Sequence, residues 1–238
     1  MESFCYFKKR ISEFENEDFR FDSHEISRNQ SLKNKVAEDG SFKAFYGDTV
    51  VFGLQDYTKM QIKKIVDDLY SNCPSLFAER LTANTFHMTL HDLNSGIELS
   101  DISSDCFRSE LACLEIAQSK AVSPDTINLK SNFVFNMVNT SLVMGLIPET
   151  EEDFEKLTSL YQKFDKVKML PYPFTPHITL GYFSPSGHKK EEVNVLRKLV
   201  SGFNKTTIHF SIDTRDLWYQ KFTGMNDYHN LFYFVQKD

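Results

Sequence analysis

One repeat constrains this chain more than any other feature of its sequence. Phe86-His87-Met88-Thr89-Leu90 and Pro176-His177-Ile178-Thr179-Leu180 carry the same His-x-Thr-Leu core, with apolar spacers. A lone His-x-Thr means little, because this composition yields about 0.4 of them by chance. Two copies with matching spacers, each inside a run that reads as a strand, point to an internally duplicated fold. Side chains alternate along a strand, so His87 and Thr89 share one face while Phe86, Met88 and Leu90 take the other. His177 and Thr179 likewise lie opposite Ile178 and Leu180. The apolar residues anchor each strand in a core and leave a His/Thr pair to line a cleft.

The surrounding chain repeats a common grammar. Residues 49–54 (Thr-Val-Val-Phe-Gly-Leu) read as a buried strand. Ile62, Ile65, Val66 and Leu69 then recur at the helical period. The first motif strand, over 85–91, is followed by a helix near 107–117. Alternating segments at 127–138 and 141–147 predict paired strands. Residues 151–164 start acidic and carry Phe154, Leu157, Leu160, Tyr161 and Phe164 on one face, as an amphipathic helix requires. The second motif strand spans 174–183, and a helix spans 191–203. Closing strands are expected at 207–212, 217–222 and 231–235. The whole predicts an α+β fold with largely antiparallel sheets and interspersed helices. Residues 1–42 are charged and weakly periodic, an extension that reads as a mobile arm or a short helix and loop. Residues 43–238 read as a single two-lobed domain.

The motif chemistry suits transfer at phosphorus. Such a reaction needs one group to take a proton from the nucleophile and another to give one to the leaving oxygen. Histidine, with an ordinary pKa near 6.5, can do either close to neutrality. A β-branched Thr is stiff at χ1, so its hydroxyl is held in place to donate to a non-bridging oxygen. Two such strands side by side would present two imidazoles and two hydroxyls around one space. The expected pH profile is a bell near neutrality, and no metal or cofactor is called for.

On these residues the chain resembles the 2H phosphoesterases, also called the LigT-like or RNA 2′-5′ ligase superfamily. That family is marked by two His-x-Thr/Ser motifs in a duplicated, two-lobed α+β fold, and the resemblance implies internally duplicated antiparallel sheets flanked by helices, with a central cleft. The resemblance runs from about Gly47 to Val235 and includes the segment with Trp218 and Tyr219. It implies that His87 and His177 are catalytic and that Thr89 and Thr179 bind phosphate. It also implies substrates such as 2′,3′- or 1″,2″-cyclic phosphates, 2′-5′ linkages or RNA ends. The competing reading is a nucleotide- or RNA-end-binding module of the same fold with little catalysis.

Other residues are ambiguous. By strict alternation His91 extends the His87–Thr89 row and is a candidate substrate contact, although a solvated or structural His91 is the favoured reading. His87 and His91 as metal ligands on one strand would sit roughly 13 Å apart, too far to share an ion. Tyr182, like Tyr172, Phe174 and Phe183, could stack on a base, yet 22 Phe residues make core packing the competing explanation. The formal net charge of −6 argues against wrapping long duplex nucleic acid, which requires many Lys and Arg. A cyclic nucleotide or short oligonucleotide is the expected partner, and the protein is expected to be a monomer. Four scattered cysteines form no CxxC motif. With no apolar run of membrane-spanning length and no apolar leader, a cytoplasmic location is the expectation.

Overall fold

The computed structural model describes residues 2–15 and 19–236. Eight strands form one sheet: β1 (Tyr46–Gly53), β2 (His87–Gly96), β3 (Thr126–Met137), β4 (Ser141–Pro148), β5 (His177–Tyr182), β6 (His209–Asp213), β7 (Leu217–Gly224) and β8 (Asp227–Tyr233). Their order is β6-β3-β4-β5-β2-β1-β7-β8, and every neighbouring pair is antiparallel. The fold is α+β. The expected sheets are two halves of a single sheet, fused where Met88 of β2 registers with Ile178 of β5.

The halves repeat in register, not only in order. Phe52 pairs with Met88 and Met144 with Ile178; Gly53 pairs with His87 and Gly145 with His177. Each half then carries a bulge at the same place. Pairing runs from Val51↔Thr89 to Val50↔His91 in one half, and from Val143↔Thr179 to Leu142↔Gly181 in the other. One extra residue, Leu90 or Leu180, is thus inserted into each motif strand.

Four long helices cover the face that bears Met88 and Ile178, both wholly buried. They are α4 (Asp56–Asn72), α5 (Leu99–Gln118), α6 (Glu151–Asp165) and α7 (Lys190–Phe203). The start of α6 shows how the sequence makes them. Thr150 Oγ1 accepts the Asp153 amide at 3.1 Å, an N-cap bond. Three acidic residues then fill the first turn, where the helix dipole favours negative charge. Phe154, Leu157, Leu160 and Phe164 follow at helical spacing, all buried. None of the described helices is long and apolar enough to cross a membrane.

Of the two readings of residues 1–42, a mobile arm or a short helix and loop, the described residues fit the second, with more helix than expected. They form three short helices, α1 (Phe4–Ser12), α2 (Ser23–Arg28) and α3 (Gln30–Lys33), each begun by a side-chain cap from Ser3, Asp22 or Asn29. Phe7 and Ile11 pack with Phe133, Ile147 and Phe154. Phe19, Phe21, Ile26, Leu32 and Val36 join the main core. In α1 the stripe Phe4, Phe7, Ile11 follows the helical period, whereas α2 and α3 bury one residue each, Ile26 and Leu32, too few to repeat. The last strand begins earlier than its apolar residues predict, because Tyr228, His229 and Asn230 pair with β7 on a sheet edge.

Candidate active site

The register brings the four motif residues together. In an antiparallel ladder centred on Met88↔Ile178, the flanking residues face one another across the strands. His87 therefore lies opposite Thr179, and Thr89 opposite His177. All four project from the face turned away from the helices, and all four are half-buried. No hydrogen bond among the described residues engages the hydroxyl of Thr89 or Thr179.

Both imidazoles are seated in the same way. Nδ1 of His87 lies 2.7 Å from the Thr85 carbonyl oxygen, and Nδ1 of His177 lies 2.8 Å from that of Thr175. A carbonyl can only accept, so each Nδ1 carries the proton and each neutral ring offers a bare Nε2. Identical seats two residues upstream of each histidine turn the two Nε2 atoms into equivalent proton acceptors.

The surroundings disfavour charge on either ring. Burial lowers the His87 pKa to about 4; the Thr85 carbonyl works against this, the nearby His177 ring adds to it, Asp92 opposes it and Lys59 adds to it. Burial also lowers His177, opposed by the Thr175 carbonyl and Asp92 and reinforced by Lys35. Each ring feels a carboxylate and an ammonium, and desolvation outweighs both.

His91 is not on this face. The bulge at Leu90 breaks the alternation, so His91 registers with Val50 and turns toward the helices. The residue is 1% exposed, and its ring stacks on Tyr161 of α6 with centroids 4.7 Å apart. Nε2 lies 3.3 Å from Asp165 Oδ1, and Nδ1 lies 2.8 Å from the Asp92 carbonyl. His91 is a core residue, and the strict two-residue period misplaces it. The matching position, Gly181, faces the same layer. There a Cβ would come within 2.9 Å of the Tyr70 hydroxyl from α4, so a glycine makes room where the other half fits a histidine.

The same bulges rotate Asp92 and Tyr182 into the cleft. Asp92 pairs with Thr49, and Tyr182 with Ser141, both two residues from the valine that faces a motif threonine. Asp92 accepts a hydrogen bond from the Tyr172 hydroxyl at 3.0 Å. Tyr182 carries the Lys35 ammonium 5.4 Å from its ring centroid. Of the other aromatic candidates, Phe183 is fully buried and Phe174 stacks on Tyr161 at 4.6 Å; both pack in or against the core.

Three neighbours of the site are invisible to motif reading: Asp92, Lys35 and Tyr228. Asp92 is masked by the bulge, and Lys35 sits in the extension. Tyr228 comes from the final hairpin, and its ring meets His87 edge-on at 5.2 Å. Burial, with Tyr182 and Asp92 close by, holds its phenol well above the ordinary range, so it remains an O–H donor. The described residues contain no group of three or more His, Cys, Asp or Glu placed to hold a metal ion.

No protein-family model matches the chain, and no curated protein matches it by sequence. Solved structures do match. The conserved protein of unknown function ATU0111 from Agrobacterium tumefaciens str. C58 is similar at a TM-score of 0.65 and 16% identity, over 87% of this chain and 93% of that one. This likeness shows a shared fold. LigT of E. coli in its apo form is similar at a TM-score of 0.47 and 14% identity, over 79% of this chain and 95% of that one. TT0787 of Thermus thermophilus is similar at 0.47 and 13%, over 78% and 94%. LigT also has crystal structures with 3′-AMP, phosphate and ATP.

Proposed function

We propose that this protein is a phosphoesterase that opens cyclic phosphates or cleaves 2′-5′ or 3′-end phosphodiesters of nucleotides and short RNA. His87 and His177 would act as its acid/base pair, and Thr89 and Thr179 as donors to the phosphate. The observation that carries this reading is the pair of identical seats: two rings on adjacent strands, each tied at Nδ1 and offering Nε2 to one cleft. In hydrolysis, one neutral Nε2 takes a proton from water as the water oxygen bonds to phosphorus. The P–O ester bond breaks on the opposite side, and the protonated Nε2 of the other ring gives its proton to the departing alkoxide. Water is consumed, the ester opens, and the two rings have exchanged protonation states. The threonine hydroxyls steady the charged non-bridging oxygens throughout. The Lys35 ammonium near His177 and the Tyr228 phenol against His87 favour an anionic group in the cleft, while the Asp92 carboxylate opposes one.

The low basicity of both rings shifts the pH expectation from neutrality toward acid. The reactive form carries one proton between the two rings. Because both folded-state values lie below the ordinary 6.5, the free protein loses that proton as pH rises toward neutrality. The kcat/KM profile should therefore peak below pH ~6.5. A bound phosphate favours imidazolium, so the kcat profile should lie at higher pH than that of kcat/KM. The two limbs belong to the coupled pair and not to one ring each.

Rates on 2′,3′-cyclic mononucleotides, 2′-5′ dinucleotides and ADP-ribose cyclic phosphate, taken across pH with and without a chelator, test the proposal. Turnover that survives chelation and peaks in mild acid supports it. Binding of these ligands with no turnover at any pH would instead make the protein a nucleotide-binding module. Activity lost to chelation and restored by a divalent ion would overturn the two-histidine mechanism.

A further inference from the structure

The two histidine seats have the same geometry but different support. The carbonyl that holds His87 belongs to a self-contained turn. Within it the Thr85 amide and hydroxyl both donate to the Thr82 carbonyl, at 3.0 and 2.8 Å, and the Phe86 amide donates to Ala83 at 3.3 Å. The carbonyl that holds His177 lies in Pro171-Tyr172-Pro173-Phe174-Thr175-Pro176. Three prolines there have no N–H to give, and each disfavours a helical turn at the residue before it. Here the Thr175 hydroxyl can donate to the Pro173 carbonyl at 3.3 Å and the Leu146 amide of β4 donates to the Pro176 carbonyl at 2.9 Å, but among the described residues no backbone–backbone hydrogen bond closes a turn around the Thr175 carbonyl.

The Phe174 carbonyl and the Thr175 hydroxyl gain a further hold from α1, more than 160 residues away in the chain. Arg10 Nη2 donates to the Phe174 carbonyl at 2.9 Å, and Nη1 donates to Thr175 Oγ1 at 3.3 Å. The guanidinium is itself fixed from behind, because Nε and Nη2 donate to the two carboxylate oxygens of Glu2 at 2.8 and 2.9 Å. Its side chain is only 15% exposed and lies 5.4 Å from the centroid of the Phe7 ring. A planar fork held on one edge by a carboxylate and presenting its other donors to a backbone carbonyl and a hydroxyl is a rigid bracket, which an ammonium would not reproduce.

We propose that the N-terminal arm is a working part of the active site, in which Arg10 is a positioning residue. It fixes the 173–176 segment so that the Thr175 carbonyl holds the His177 ring in its Nδ1–H form, with Nε2 aimed into the cleft. The catalytic half of this statement rests on the phosphoesterase reading above; the positional half does not. Arg10 thereby adds, for the second motif, the backbone support that a hydrogen-bonded turn supplies for the first. Losing the bracket should let the proline-rich segment drift and His177 rotate or change tautomer, while His87 stays as it is. Displacing a reacting group by about 1 Å can cost on the order of a hundredfold in rate.

The test uses the full chain with 15N-labelled histidine, comparing Arg10→Met, Arg10→Lys and Glu2→Gln with the parent. Imidazole 15N spectra should show His177 leaving the pure Nδ1–H form in Arg10→Met, to a lesser degree in Arg10→Lys and least in Glu2→Gln, with His87 unchanged as the internal control. On any substrate the parent turns over, kcat should fall by about tenfold to a hundredfold in Arg10→Met with KM little changed, and its pH profile should move. If Arg10→Met does not fold, the graded response of the other two variants decides the matter. A His177 spectrum unchanged in Arg10→Lys and Glu2→Gln, or histidine signals that shift together, would overturn the proposal. A parent with no turnover would defeat the phosphoesterase reading and leave the spectroscopic result standing on its own.

Discussion

Alanine in place of His87 or of His177 should lower kcat by about a hundredfold to ten-thousandfold, the range that a positioned acid or base contributes. In the proposed mechanism each ring has its own proton to move, so neither could cover for the other. The fold should survive, because each ring is half-buried at the edge of a cleft while the strands are anchored by the buried Met88, Leu90, Ile178 and Leu180. The double variant should cost far less than the product of the single losses, since members of one catalytic unit are not additive. Steady-state rates on a cyclic nucleotide, alongside thermal unfolding of each variant, measure both quantities. Parental turnover in either single variant, with the fold intact, would remove that histidine from the mechanism.

Valine in place of Thr89 or Thr179 should slow the reaction by roughly tenfold to a thousandfold, the cost of a lost donor to a charged transition state. Valine keeps the β-branched shape and the strand preference and deletes only the hydroxyl. The two hydroxyls have no hydrogen-bond partner among the described residues, so nothing internal is broken by the change and stability should scarcely move. The register adds a finer expectation. Thr89 faces His177 and Thr179 faces His87 across the strands, so coupling between variants should be strongest within these cross-strand pairs. A double-mutant cycle of Thr89→Val with His177→Gln, set against Thr89→Val with His87→Gln, reads this directly. If both valine variants keep full activity, the threonines are strand formers and the phosphate is held by other groups.

Much of the candidate site was legible in the chain because it is built from local repeats. A His and a Thr two apart on a strand must share a face, and apolar residues between them must bury. That rule places His87, Thr89, His177 and Thr179 without knowledge of the fold. It fails at His91, two residues further on, because the Leu90 bulge adds a residue and exchanges the faces beyond it. Nothing in Leu90-His91-Asp92 announces that insertion; it is set by pairing with β1, and only the pairing reveals that Asp92 and Tyr182 face the cleft. Beyond α1 the arm defeats a periodic reading for a related cause. Phe4, Phe7 and Ile11 do recur at the helical period in α1 and bury in one cluster, but Phe19, Phe21, Ile26 and Leu32 form no continuous stripe and pack into the main core one by one.

The sequence by itself determined the pieces with short-range causes: the capped, acidic start of α6, the helical stripe of α4, the alternation of the motif strands and the duplication they imply. Tertiary structure alone decided which strands lie together. Met88 against Ile178 joins segments 90 positions apart, and it is this contact that turns two separate His/Thr pairs into one cleft. It also decided the protonation of the rings, because a desolvated imidazole owes its low basicity to atoms contributed from across the chain. Arg10 at Thr175 follows the same rule. A side chain can be read from its neighbours in sequence only when those neighbours hold it, and the proline-rich segment before His177 shares that task with β4 and with α1.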